Sequence, residues 1–151
     1  LYTIGRLDAD SEGLILLTND GDFCQKVAHP RHGMLKSYRV SLARRVAPES
    51  LKTLTNGLRD DGEWLQAKSA KLLAANNTRS EVELVLAEGK NREIRRMFKA
   101  LGQRVLRLQR IAVGPVKLGE LPRGKWRVLS QAEIASCLRF CGKAQESHRR
   151  N

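Results

Sequence analysis

Apolar residues in this chain recur with two different spacings, and the spacing assigns most of the elements. In 36–43, Tyr38, Val40 and Leu42 share one side while Arg39 and Ser41 take the other, the period-two pattern of a half-buried strand. Val82, Leu84 and Leu86 alternate in the same way within 80–87, and Asn76-Asn77 turns the chain back to a partner strand over 66–74. Further strands are expected over 104–113 and, briefly, over 126–129. The run from Leu14 to Leu17 is continuously apolar, too short for a core helix, and bounded by Gly13 and Asn19. It reads as a buried strand fed by a charged, turn-rich loop.

Helical spacing is clearest over 91–101. Ile94, Met97, Phe98 and Leu101 line one face, Arg92, Arg95, Arg96 and Lys99 line the opposite one, and Gly102 stops the helix. Asp20-Gly21-Asp22 opens a helix that reaches about Ala28 and is ended by Pro30. Pro48 opens another, carrying Leu51 and Leu54 and closed by Gly57, and 59–64 reads as a turn. Ser130 and Glu133 form a capping box for a last helix ending near Gly142, followed by a flexible basic tail over 143–151. No internal repeat or second composition regime is present. The expectation is one α+β domain over 1–142, a mixed, mainly antiparallel sheet with flanking helices.

Composition narrows the partners. At 151 residues and 41% hydrophobic the chain can bury a core, and 5% aromatic content makes that core mostly aliphatic. Lys and Arg number 28 against 16 Asp and Glu, a net charge of +12, which predicts a polyanionic partner. The apolar face of the 91–101 helix is needed for the core rather than for lipid, which favours nucleic acid over a membrane surface. No apolar run approaches the roughly 20 residues of a membrane span. Cys24, Cys137 and Cys141 contain no Cys-x-x-Cys, and His29, His32 and His148 lack ligand spacing with them. No metal site is expected, Cys137 and Cys141 read as one helix face, and a reducing cytoplasm fits. Asp8, Asp10, Glu12 and Gly13 look like half of a calcium loop, but Asn19 stands where the bidentate glutamate is needed.

Candidate chemistry starts with Asp8, set between Leu7 and Ala9 on the loop that enters the apolar run, a rigid mount for a carboxylate. The cationic helix face is either an ordinary solvated surface or a seat for an anion, since four like charges repel without one. Lys90 and Asn91 at the helix start add the positive end of the dipole, suited to phosphate. Tyr38 fits either a core aromatic or a ring on which an unpaired base stacks.

Gly5-Arg6-Leu7-Asp8 followed by DSEGLILLTNDGDF resembles the signature of bacterial ribosomal RNA pseudouridine synthases of the RsuA-like family. Further motifs come in that family's order: Lys36-Ser-Tyr38-Arg-Val40, then Glu88-Gly-Lys-Asn-Arg-Glu-Ile-Arg-Arg-Met-Phe98. Leu106-Arg-Leu-Gln-Arg110 with Gly114, and Leu121-Pro-Arg-Gly-Lys-Trp126-Arg, complete a resemblance that covers about 1–129. It implies isomerisation of a ribosomal RNA uridine to pseudouridine without cofactor or metal, on a base flipped from its stack. Asp8 would be the essential carboxylate, buried in the groove, whether it attacks the sugar or the ring or removes a sugar proton. Tyr38 would stack on the uracil and help proton transfer, Arg95 would pair with Asp8 and keep it ionised, and Leu108 would touch the base from its apolar side. Arg6 would hold the RNA or fill the space the base leaves. Arg92, Arg96, Lys99 and Arg110 would bind phosphates, with Lys36, Lys90 and Asn91 also on the RNA side.

The resemblance further implies a monomer working on ribosomal RNA, free or in an assembling subunit, with no membrane involved. Members of that family usually carry a small RNA-binding domain and a further strand ahead of the first motif, so a chain starting at Leu1 is expected to be N-terminally truncated. The alternative is a non-catalytic RNA-binding or ribosome-assembly module, which would have no need of a buried acid in its groove.

Overall fold

The computed structural model describes residues 1–29 and 33–150, with side chains as far as Cys141. The chain runs β1 (Tyr2–Ile4), β2 (Glu12–Gly13), β3 (Leu16–Thr18), α1 (Gly21–Ala28), β4 (Lys36–Leu42), α2 (Pro48–Asn56), β5 (Leu58–Asp60), β6 (Glu63–Leu65), β7 (Ser69–Ala75), β8 (Ser80–Leu86), α3 (Glu93–Ala100), β9 (Val105–Val113), β10 (Val116–Lys117) and α4 (Gln131–Arg150). The central sheet has the antiparallel order β10-β9-β4-β8-β7, and β2 joins β9 in parallel. Smaller pairs, β1-β3 and β5-β6, stand beside it. This is the mixed, mainly antiparallel α+β fold that the spacing implied.

Register decides what lies on the inner face. Gly13, Arg110, Tyr38 and Leu84 are cross-strand neighbours in one row, and Leu108, Val40, Val82 and Leu72 form the next. Val40, Leu42, Val82 and Leu84 are buried against Leu51 and Leu54 of α2 and Ile94, Met97 and Phe98 of α3. Each such side chain contributes about 1.5–3 kcal/mol by leaving water. A second core gathers Ile4, Leu14, Leu16, Val27, Met34, Val113 and Val116 with Cys137 and Cys141 of α4. The cysteines do share a buried face, and all three are free thiols.

Several expectations need correction. The apolar run of 14–17 is not one buried strand: Leu14 and Leu16 are buried while Ile15 and Leu17 are exposed. Its backbone leaves β9 after Gly13 and pairs with β1 from Leu16, so two sheets share the segment. Residues 59–64 are a hairpin rather than a bare turn, because Asp61 (φ 50°) and Gly62 (φ 77°) make a tight left-handed connection between β5 and β6. Residues 126–129 form no strand. Trp126 is 82% exposed, and Arg127 instead bridges Glu133 at 2.8 Å. The capping box is present, with Glu133 N donating to Ser130 Oγ at 3.1 Å and Ser130 N donating to Glu133 Oε1 at 2.8 Å. Its helix passes Gly142 and continues to Arg150. A single glycine costs about 1 kcal/mol, and the Lys, Ala, Gln and Glu beyond it favour helix. Helix α1 is capped by the Asp20 side chain, while Pro30 lies outside the described residues.

Candidate active site

Between the two cores lies a cavity of about 740 Å³, within the range that holds most of a ligand the size of a nucleotide. Its floor is β4 and β9, one wall is the start of α3, and its rim is the 5–11 loop carrying Asp8. That loop is built by close backbone packing. A Cβ at Gly13 would lie 2.3 Å from the Arg110 carbonyl oxygen, so only glycine lets β2 approach β9. Arg110 is 2% exposed and spans the loop from beneath. Its Nε donates to the Leu14 carbonyl at 2.9 Å and its Nη1 to the Arg6 carbonyl at 3.2 Å. Two of its nitrogens are thus committed to the loop's carbonyls while Nη2 is buried without a hydrogen-bond partner, so the guanidinium lies beneath the loop and not at the surface where a phosphate ligand was expected.

Asp8 stands at the cavity rim and is exposed, not buried. Its carbonyl accepts from Ser11 N at 2.9 Å, which closes the turn beneath it. Arg95 does not pair with it here. Arg95 Nη2 donates to the Asp10 carbonyl at 2.6 Å, and Arg95 Nε lies 3.2 Å from Asp10 Oδ2 without hydrogen-bond alignment. Arg92 grips the same Asp10 carboxylate with two bonds, at 3.0 and 2.8 Å. Those bonds hold the Asp10 carboxyl below its ordinary range. Arg92 adopts left-handed backbone (φ 49°) as it enters α3, a conformation that non-glycine residues reach at a cost. Arg92, at the entry to α3, and Arg95, within it, therefore receive their acid from the Asp8 loop and hold that loop against the helix.

Arg96 faces the other way. It meets Asp60 at 2.7 Å and Glu63 at 2.6 Å, and donates to the Asn91 carbonyl at 3.0 Å. The acids absent from the cationic face are supplied to Arg96 by the β5–β6 hairpin. Lys90 is held by Glu88 at 3.2 Å and by the Trp64 carbonyl. Because α3 begins at Glu93, Lys90 and Asn91 precede it in the loop. Ten expected site residues line the cavity: Arg6, Asp8, Lys36, Tyr38, Lys90, Asn91, Arg92, Arg95, Leu108 and Arg110. Arg96 and Lys99 do not, and Lys99 is exposed on the outer side. Asp10 and Glu12, half of the calcium-like pattern, are turned to arginines, Glu12 meeting Arg107 at 2.6 Å.

Burial tunes the floor. Tyr38, 9% exposed, has its phenol pushed up by desolvation, partly opposed by Arg110 alongside. The Lys36 amine is pulled down by burial and then by Arg110.

The family described as RNA pseudouridylate synthase matches residues 1–100. The chain belongs to that family. Similar pseudouridine synthases include the ribosomal large subunit pseudouridine synthase B of Bacillus subtilis (strain 168), 41% identical over 138 residues. The ribosomal small subunit pseudouridine synthase A of Vibrio parahaemolyticus is 36% identical over 137 residues. The alignments cover 89% and 90% of this chain but 56% and 59% of those proteins, so the chain spans little more than half of their length. A crystal structure of a pseudouridylate synthase superposes with a TM-score of 0.80 at 37% identity, covering 90% of this chain and 59% of that one.

One residue lining the cavity of this synthase-family chain was missed by sequence reasoning. Glu93 lines the cavity at 3% exposure, and neither carboxylate oxygen has a hydrogen-bond partner. Burial, reinforced by the Glu88 carboxylate, lifts its pKa to about 7. The signal was available: Glu93 precedes Ile94 and stands four residues before Met97, a lone acid on the apolar stripe.

Proposed function

We propose that residues 1–142 form the catalytic unit of an enzyme that isomerises uridine to pseudouridine in ribosomal RNA. The observation that carries this reading is that one cavity collects Asp8, Tyr38, Leu108 and Arg95 with a rim of cations. The reaction breaks the bond between uracil N1 and ribose C1′ and forms one from C5 to C1′. The C5 proton leaves and N1 gains one, so the isomerisation consumes nothing. It calls for a carboxylate at the sugar or ring, a surface for the rotating base, and exclusion of the neighbouring stack. Asp8 supplies the carboxylate from the rim, where an entering nucleotide first meets protein. Tyr38 and Leu108 give the base an aromatic and an aliphatic contact on the floor. Arg95 fixes the loop bearing Asp8 through the Asp10 carbonyl. The names of the two relatives, which refer to the large and small ribosomal subunits, support ribosomal RNA as the substrate class.

The test uses ribosomal RNA tritiated at uridine C5, because forming the C–C bond expels that hydrogen to water. Tritium release by the chain, and its loss on Asp8→Asn with RNA binding within about twofold of the parent, is the expected outcome. Undiminished release by Asp8→Asn would remove Asp8 from the mechanism. Salt-sensitive RNA binding without release, on free RNA and on assembling particles alike, would leave a binding module.

A further inference from the structure

We propose that Glu93 is the group that reads the imide edge of the flipped uracil, as a neutral carboxyl that donates its O–H to a ring carbonyl and accepts N3–H. The inference rests on the reading that the cavity receives a uridine. Three observations lead to it. The carboxyl is nine-tenths buried, it lines the cavity, and both its oxygens lack a hydrogen-bond partner. Native interiors rarely leave such a group unmatched unless a ligand or water completes it.

Glu88 and the backbone of Lys90 act on the carboxyl, yet neither reaches its oxygens with hydrogen-bond geometry. Glu88 and Lys90 approach from the loop before α3, and Lys36 and Tyr38 face it from β4. Lys90 is committed to Glu88 and Trp64, and among the described residues Lys36 forms no ion pair with Glu93. The charge of Glu93 nonetheless acts on both Lys36 and Tyr38, so its wall of the cavity, the start of α3, adjoins their part of the floor. A ring stacked on Tyr38 would turn its edge toward that wall. A neutral carboxyl carries one donor and one acceptor side by side, the complement of an adjacent C=O and N–H pair. An ionised carboxylate would meet the same edge with acceptors only, and the ring carbonyl would repel it. Burial and Glu88 keep the acid protonated up to about pH 7.

Two measurements test this. The first follows the side-chain carboxyl carbon of Glu93 by NMR in glutamate-labelled chain, assigned by its absence in Glu93→Gln. The signal should titrate near pH 7, move on addition of uridine 5′-monophosphate, and stay put with ribose 5-phosphate. A signal unmoved by the nucleotide, or moved equally by the sugar phosphate, would overturn the proposal. The second is tritium release from pH 5.5 to 9. Parent turnover should fall as pH rises through about 7, because ionisation removes the donor. Glu93→Gln, whose amide keeps one donor and one acceptor, should retain turnover within about threefold and lose that descending limb. Glu93→Ala should lose about tenfold or more in kcat/KM, with unchanged affinity for bulk RNA. A Glu93→Gln profile that keeps the parent's limb would sink the assignment. Release by the parent with an unresponsive Glu93 signal defeats this inference alone. A responsive signal without release by the parent supports the base contact and defeats the catalytic reading beneath it.

Discussion

Arg110 lies between Gly13 and Tyr38 in one row of the sheet and donates to the carbonyls of Leu14 and Arg6. Cutting back its guanidinium leaves those two carbonyl oxygens without their donor at the point where the Asp8 loop is tied down. Arg110→Met, which keeps much of the volume, is expected to lower unfolding free energy by about 2–4 kcal/mol in urea titrations. It should also reduce turnover, because the loop loses its anchor. The slope of RNA affinity against salt should stay as in the parent, since a guanidinium buried under a loop releases no counterions. A flattened slope would restore the phosphate role expected from sequence. The Arg95 assignment turns on a similar local detail. Asp8 and Asp10 are two residues apart on one loop, and which of them meets the helix depends on a backbone turn that residue types alone do not specify.

Among the elements, β2 does most to set the site although it has only two residues. Its parallel pairing with β9 delivers the loop to the cavity rim, and Gly13 (φ 114°) permits the approach. Gly13→Ala is expected to cost about 3 kcal/mol or more, since both the clash with the Arg110 backbone and the left-handed φ oppose it. Gly62→Ala is the control: φ is also positive there, but nothing lies within 4 Å of the added methyl, so about 1 kcal/mol is expected. Urea unfolding of both variants, with tritium release, checks the contrast, and equal losses would mean that the close approach of β2 is unimportant. The same comparison marks what was legible in the sequence. Strands β4, β8 and β9 and helix α3 announce themselves because one face of each is buried over several residues, which imposes a period. A two-residue strand has no period, and three-residue strands around Asp61-Gly62 have too little of one. The apolar letters of Trp126 and Val128 suggested a strand, yet pairing needs a neighbour that local sequence does not reveal. Ten of the residues named through the family motifs line one cavity. The partners of the cations were not legible, because Asp10, Asp60 and Glu63 reach Arg92 and Arg96 only through the fold.

Across the whole molecule, a net charge of +12 overstates how many cations are ready to meet RNA. Arg96 is held by Asp60, Glu63 and two carbonyls, so exchanging those partners for a phosphate gains little. Arg92 is different. Its pair with Asp10 is half exposed, and such pairs contribute only about 0–1 kcal/mol, so phosphate can compete for it. Arg6 at the cavity rim and Lys99 on the exposed side of α3 have no ion pair among the described residues. The RNA track should therefore follow Arg6, Arg92 and Lys99 and pass by Arg96. Each phosphate contact on single-stranded RNA contributes about 0.7 to the slope of log affinity against log salt. Lys99→Ala and Arg6→Ala should each reduce that slope by roughly this amount, as read from filter binding at several salt concentrations. Arg96→Ala should leave the slope nearly unchanged while lowering stability, because Asp60 and Glu63 are then left facing one another. If Arg96→Ala flattens the slope as much as Lys99→Ala does, RNA binding must open the hairpin contact, and the cationic face of α3 acts as a single phosphate track after all.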